Sequence, residues 1–228
     1  MKSQTAALVR VLGGQAARGI LVGVAWTAAV LLALSTGVLT FRVEGDVQWF
    51  AVNDVELGFG RAIPVILTTS LIIISFVVAI VVVGSYARAT IAMGATRRNL
   101  AAAYLVVAAG MWLLALVCAA LAWAVARGAL AGQFTAAQVR SVAVVGAGIV
   151  LAAVVVGMLL AAVFLAWPWY VGVGGIALVT TVLPLVASQL PALEAALEAV
   201  EHFPGTPWLV AAAAAAGLWG VLGRLQLK

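Results

Sequence analysis

The sequence predicts an all-α polytopic membrane protein with six transmembrane helices and both termini in the cytoplasm. Three observations lead there. First, 66% of the 228 residues are hydrophobic and 8% are charged, against about 45–50% and about 25% in an ordinary soluble domain. A single soluble core could not hide that much apolar surface. A soluble enzyme, a disordered chain and a nucleic-acid-binding domain are therefore excluded as classes. Second, the charges are confined to short segments, so that uncharged runs occupy 19–41, 62–87, 99–126, 141–193 and 202–223. Third, the arginines and lysines divide unevenly between alternate segments, which sets an orientation.

A transmembrane helix needs about 20 residues, and four of the five runs fit one helix each. The run 141–193 holds 53 residues, too many for one crossing. Its natural break is Trp167-Pro168-Trp169-Tyr170, followed by Gly172, Gly174 and Gly175. Proline stops a helix, glycine permits a turn, and Trp and Tyr favour the membrane interface. The expected spans are therefore about 19–41, 63–85, 101–125, 141–166, 173–189 and 207–223. With the N-terminus inside, Lys2, Arg10, Arg18, Arg88, Arg97, Arg98, Arg224 and Lys228 face the cytoplasm, and Arg42, Arg61, Arg127 and Arg140 face outward. All seven acids then lie outside, at Glu44, Asp46, Asp54, Glu56, Glu194, Glu198 and Glu201. An even number of crossings also returns Arg224 and Lys228 to the basic side. The net charge of +5 is read as this asymmetry rather than as a nucleic-acid footprint.

Four segments outside the spans have character. Residues 1–18 pattern as a short, weakly amphipathic interface helix on the inner leaflet, with Leu8, Val9, Val11 and Leu12 apolar and Arg10, Gln15 and Arg18 polar. Residues 42–61 form an outside loop too short for a domain. Residues 85–100 are the most polar cytoplasmic stretch: Gly94 suits a helix end, and Thr96 suits the N-cap of the next helix. Arg97 and Arg98 then open that helix, where cations oppose its dipole. Residues 189–206 read as an outside interfacial helix, with Leu190, Leu193, Leu197 and Val200 on one face and Glu194, Glu198 and Glu201 on another.

No catalytic constellation is visible. His202 is the sole histidine, there is no His-Glu-x-x-His, and Gly13-Gly14 lacks the Gly-Lys-Ser/Thr of a phosphate loop. No cofactor or metal is expected. The spans as drawn contain no Asp, Glu, Lys, Arg or His, which argues against a proton relay. Their polar atoms are hydroxyls: Thr68, Thr69, Ser70 and Ser75 in the second span, and Thr180 and Thr181 in the fifth. Such hydroxyls bond their own helix, join neighbouring helices, or line a pathway. A pathway walled by Ala, Val and Leu suits an apolar or amphipathic cargo.

The stretch Arg88-Ala89-Thr90-Ile91-Ala92-Met93-Gly94-Ala95-Thr96-Arg97-Arg98-Asn99-Leu100 resembles the cytoplasmic segment between the second and third spans of ABC-2 type permeases, the membrane subunits of bacterial ATP-binding-cassette transporters. The plan of the chain resembles theirs too: an N-terminal interface helix, six spans, a coupling helix after the second, and interfacial helices before the sixth. The resemblance implies an exporter half in the cell membrane. It would pair with a second permease copy or a homologue, among membrane lipids, and dock on separate ATPase subunits. It also implies an ATPase-coupling contact carried by Arg88, Met93, Gly94, Thr96, Arg97 and Arg98. On this reading the chain is not itself an enzyme. The alternatives are a non-transporting assembly or regulatory subunit of the same fold, and a small channel or secondary carrier.

Overall fold

A computed structural model describes residues 2–35, 59–92, 94–126, 136–177, 180–181 and 203–224. These residues are all helical apart from short turns, with no strand among them. The helices are α1 (Lys2–Ser35), α2 (Phe59–Ala92), α3 (Arg97–Ala126), α4 (Ala136–Ala166), α5 (Trp169–Ala177) and α6 (Thr206–Arg224). Five of them, all but α5, are long and apolar enough to cross a membrane. This is the build of a multi-pass membrane protein: in hydrocarbon every backbone N–H and C=O must find its partner within the segment, and a helix provides that.

The second, third, fourth and sixth expected spans fall within α2, α3, α4 and α6. The break before the fifth is at Pro168, after which α5 starts at Trp169. Most of the expected fifth span, 173–189, lies outside the described residues, as does the acidic helix with Glu194, Glu198 and Glu201. The N-terminal region differs from expectation. Residues 3–18 are not a separate interface helix; they are the first half of a continuous α1 of 34 residues. Gly13 and Gly14 do not interrupt it. The physical reason is a buried stripe, Leu12, Ala16 and Ile20, at four-residue spacing, which runs through the glycines and packs the whole stretch on α2 and α3. Within the described part of α1, Gln4–Ala29 is long and apolar enough to cross a membrane, and the expected first span, 19–41, begins inside it and runs on beyond the described residues. Arg10 and Arg18 lie on the same continuous helix, ahead of the expected start of that span.

Close contacts fix the register. A side-chain carbon added at Gly19 would lie 3.0 Å from Val78, and one at Gly23 would lie 2.6 Å from Ile74. Four residues up α1 correspond to four residues down α2, so the pair is antiparallel. In the same way Gly148 sits under Pro207 and Trp208, while Gly217 sits under Leu159. Advancing along α4 therefore means advancing along α6, and this pair is parallel. The ends of α4 and α6, Ala166 and Arg224, lie at one level. The start of α6 lies about 18 residues of helix away from it, roughly 27 Å at ~1.5 Å per residue.

The main buried cluster gathers at the end that holds the α2–α3 turn, here the turn end. It includes Leu12 and Ile20 of α1, Val82, Val83 and Ala87 of α2, and Leu100, Tyr104 and Val107 of α3. Met158 and Ala162 of α4 and Leu218 and Leu222 of α6 complete it. Further out, Trp112 donates its indole N–H to the Ala147 carbonyl at 2.9 Å. Its ring meets Trp208 edge-on, 6.0 Å between centroids. One side chain thus ties α3 to α4 and α6. Outward faces remain apolar, as at Val22, Trp26, Val117 and Leu121.

Gly157 brings α4 against the main chain of α2, because a Cβ there would lie 2.7 Å from the Phe76 carbonyl oxygen. Main chain cannot yield as a flexible side chain can. Gly157→Ala should therefore lower stability by about 1–3 kcal/mol. Gly84→Ala, which points into open space, should stay within about 0.5 kcal/mol. Thermal unfolding of the two variants in one detergent checks the contrast.

Candidate functional site

The segment singled out by its polarity, 85–100, forms the reversal between α2 and α3. Its expected coupling helix does not exist as a separate element: 85–92 are the last two turns of α2. The reversal itself is three or four residues long and is closed at both sides. At the end of α2, the Ala95 N–H donates to the Thr90 carbonyl at 3.1 Å and the Gly94 N–H to the Ile91 carbonyl at 2.9 Å. This paired pattern is the Schellman motif, and it needs a left-handed residue. Gly94 supplies one, with φ of 85°. At the start of α3, Thr96 Oγ1 accepts from the Asn99 N–H at 3.3 Å, the N-cap bond that its position predicts. Thr90 bonds back to the Tyr86 and Ala87 carbonyls, both at 2.9 Å, so its hydroxyl is used inside α2.

Arg88, Arg97 and Arg98 are all exposed around this turn. Arg10 is exposed on α1 near the level of Ala87, and Arg224 ends α6 at the same end of the bundle. Among the described residues there is no Asp or Glu at all, so nothing of opposite sign faces these cations there. Met93, the packing residue expected in the contact, lies outside the described residues. Beneath the turn, Asn99 and Tyr104 are buried. The Asn99 Nδ2 and the Tyr104 hydroxyl have no hydrogen-bond partner. Sequence reading missed both. Their only signal was two polar groups placed on the buried side of α3, which a list of exposed basic residues passes over.

The candidate pathway hydroxyls are not brought together. Thr68 is buried at a cavity of about 240 Å³ between α2, α3 and α4, lined also by Trp123, Ala143, Gly146 and Ala147. Ser70 lines a different cavity of about 260 Å³ between α1, α2 and α3, together with Thr27 and Cys118. Thr69 is exposed. Ser75 is fully buried, and its hydroxyl has no partner. Thr180 donates to the Ile176 carbonyl at 2.9 Å and is exposed, as is Thr181. Both cavities lie at the far end from the turn, where α2 begins and α3 ends. Each is walled almost wholly by apolar carbon. Among the described residues no group of His, Cys, Asp and Glu could hold a metal ion.

Compared with known protein families, curated proteins and solved structures, the chain matches none.

The reversal is a defined piece of structure whose two ends can be weakened separately. Gly94→Ala forces a side chain into the left-handed region and should cost about 1–2 kcal/mol. Thr96→Ala removes the cap and should cost about 1 kcal/mol. Both should appear as faster limited proteolysis between 92 and 98, with the melting temperature of the bundle less affected than by Gly157→Ala.

Proposed function

We propose that the chain is the membrane-spanning permease subunit of an ATP-binding-cassette exporter of the ABC-2 type. It works as a pair with a second copy or a homologous permease, and it docks on separate ATPase subunits in the cytoplasm of a bacterial cell. The cargo is apolar or amphipathic: a lipid, a hydrophobic peptide or a drug-like molecule. ATP hydrolysis takes place on the partner. The observation that carries this reading is the basic reversal. A tight turn, capped on both sides, presents Arg88, Arg97 and Arg98 at one end of the bundle with no acid among the described residues. A rigid, positively charged tip on two long helices is suited to receive a push from a soluble partner and pass it along α2 and α3.

Two features support the wider plan. The parallel packing of α4 and α6 requires the chain between them to return from the turn end to the far end. The distance is roughly 27 Å along the axis at ~1.5 Å per residue, close to the ~30 Å hydrocarbon thickness. That supports a sixth crossing between Ala166 and Thr206, with both termini on the side of the reversal. The excess of exposed arginines at that end supports its being cytoplasmic. The apolar walls of both cavities support an apolar or amphipathic cargo.

A second reading, a non-transporting assembly or regulatory subunit of the same fold, is favoured by one observation. Residues 85–92 continue α2 instead of forming a transverse helix of their own, which leaves a smaller contact for an ATPase.

The deciding experiment is capture of the tagged full chain in mild detergent from its own cells, with partners identified by mass spectrometry. A nucleotide-hydrolysing subunit should be recovered with the wild type. Recovery should fall at least tenfold with Arg97→Glu/Arg98→Glu. Equal recovery removes these arginines from the contact. A wild type that captures no such subunit overturns the transporter reading.

A further inference from the structure

The form of the cavity between α2, α3 and α4 points to a ligand. Its volume is about 240 Å³, and its lining on α4 runs from Val139 to Val150. That is about eleven residues of helix, roughly 16 Å at ~1.5 Å per residue, so the cavity is long and narrow. One end is closed. Val150 and Thr68 are buried there, and the adjoining wall at Ala147 is pinned by the indole N–H of Trp112. The other end is open, because Ala120, Val139 and Ala143 line it and are exposed.

The two sides of α4 at this level differ sharply. A side-chain carbon added at Gly146, which lines the cavity, would meet nothing within 4 Å. One added at Gly148 would lie 2.8 Å from the Trp208 ring nitrogen. So α4 is held hard on its α6 side while room is left on its cavity side. The walls of that room are apolar almost throughout, and an apolar cavity does not suit water. Lining atoms with no neighbour lose dispersion contacts, which a hydrocarbon group restores. The narrow form favours a linear chain over a compact ring. The rim favours one that arrives with an apolar approach: Val117, one turn from Ala120, is 56% exposed, and Val144, beside Ala143, is 50% exposed.

We propose that this cavity binds the linear hydrocarbon tail of an amphipathic molecule and leaves the polar head outside the mouth between α3 and α4. The tail enters past Ala143 and ends against Val150. The wall at Ala147, fixed by Trp112, sets how far it reaches. The site itself depends only on the packing of α2, α3 and α4. It also deepens the exporter reading by giving the cargo's tail a place, and that step alone rests on that reading.

The test uses the purified full chain in a sterol-based detergent, which has no linear alkyl chain to compete. The probe is a single-chain phosphocholine lipid brominated along its tail, because bromine quenches indole fluorescence on contact and Trp123 lines the cavity. Quenching of the wild type should saturate, and Trp123→Phe should remove most of the saturable part. Gly146→Leu, which fills the cavity, should raise the half-saturating concentration at least tenfold. Gly84→Leu, which also points into open space but far from the cavity, should stay within twofold of the wild type. If Gly146→Leu cannot be recovered folded, Ala143→Leu at the mouth decides, with at least a threefold increase expected. Saturation at the wild-type concentration in the filled variant overturns the proposal. Loss of binding in Ala28→Leu, which narrows the other cavity, with Gly146→Leu unaffected, moves the site and overturns it too. Displacement of the lipid by an equal concentration of bromobenzene overturns the assignment to a tail. The measurement needs no ATPase, so this site and the docking contact fail independently.

Discussion

The contact on which the rest of the bundle depends is the approach of α4 to the main chain of α2 at Gly157. In lipid the apolar faces of helices gain little by leaving a solvent as apolar as themselves, so association comes from close packing and from hydrogen bonds between helices. Close packing needs positions with no side chain. Gly157 provides one against the Phe76 carbonyl, Gly148 another beneath Trp208, and Gly19 and Gly23 two more against α2. With those four contacts made, α4 lies between α2 and α6, and the levels of all the other groups follow. The parallel course of α4 and α6 is one result, and the antiparallel register of α1 on α2 is another.

Much of the fold was legible in the sequence, because the bilayer imposes simple rules. Helical class follows from composition, and the start of α3 and the end of α4 follow from Arg97 and Pro168. Gly94 and Thr96 declared a helix end and a helix start, and both make the bonds those roles require. What the sequence could not show was register. The charges mark where hydrocarbon should stop, and on that rule the first crossing began after Arg18. The contacts of Gly19 with Val78 and of Gly23 with Ile74, which set α1 against α2, are tertiary. Nothing in residues 1–35 alone says that Gly19 faces Val78. The candidate site was legible to the same degree: its exposed arginines were visible as a motif. The buried Asn99 and Tyr104 beneath them were not, because in sequence they are only two polar residues in an apolar run.

The two ends of the bundle are built differently. At the turn end the core is continuous across five helices and includes large side chains such as Tyr104, Met158 and Leu222 with no exposure. Beyond the tie made by Trp112, Ala147 and Trp208, the lining residues become small, as at Ala119, Ala120, Ala143 and Gly146, and the two cavities appear. A packed interior transmits displacement, and one with voids absorbs it. Force applied at the reversal would therefore move the turn end as a block. Rearrangement would be concentrated where α2, α3 and α4 leave space between them. The hydroxyls of Thr68 and Ser70 sit in that looser half, each in its own cavity.

Charge completes the picture. The described bundle carries arginines and no acid, so every compensating anion must come from outside it. The arginines at the turn end, Arg10, Arg88, Arg97, Arg98 and Arg224, can meet water, where their fields decay over about 8 Å at physiological salt. They can serve as topology signal, lipid contact or docking face without a fixed partner. What the fold fixes is their grouping, because the capped reversal at Gly94 and Thr96 holds Arg88, Arg97 and Arg98 together at one end of the bundle.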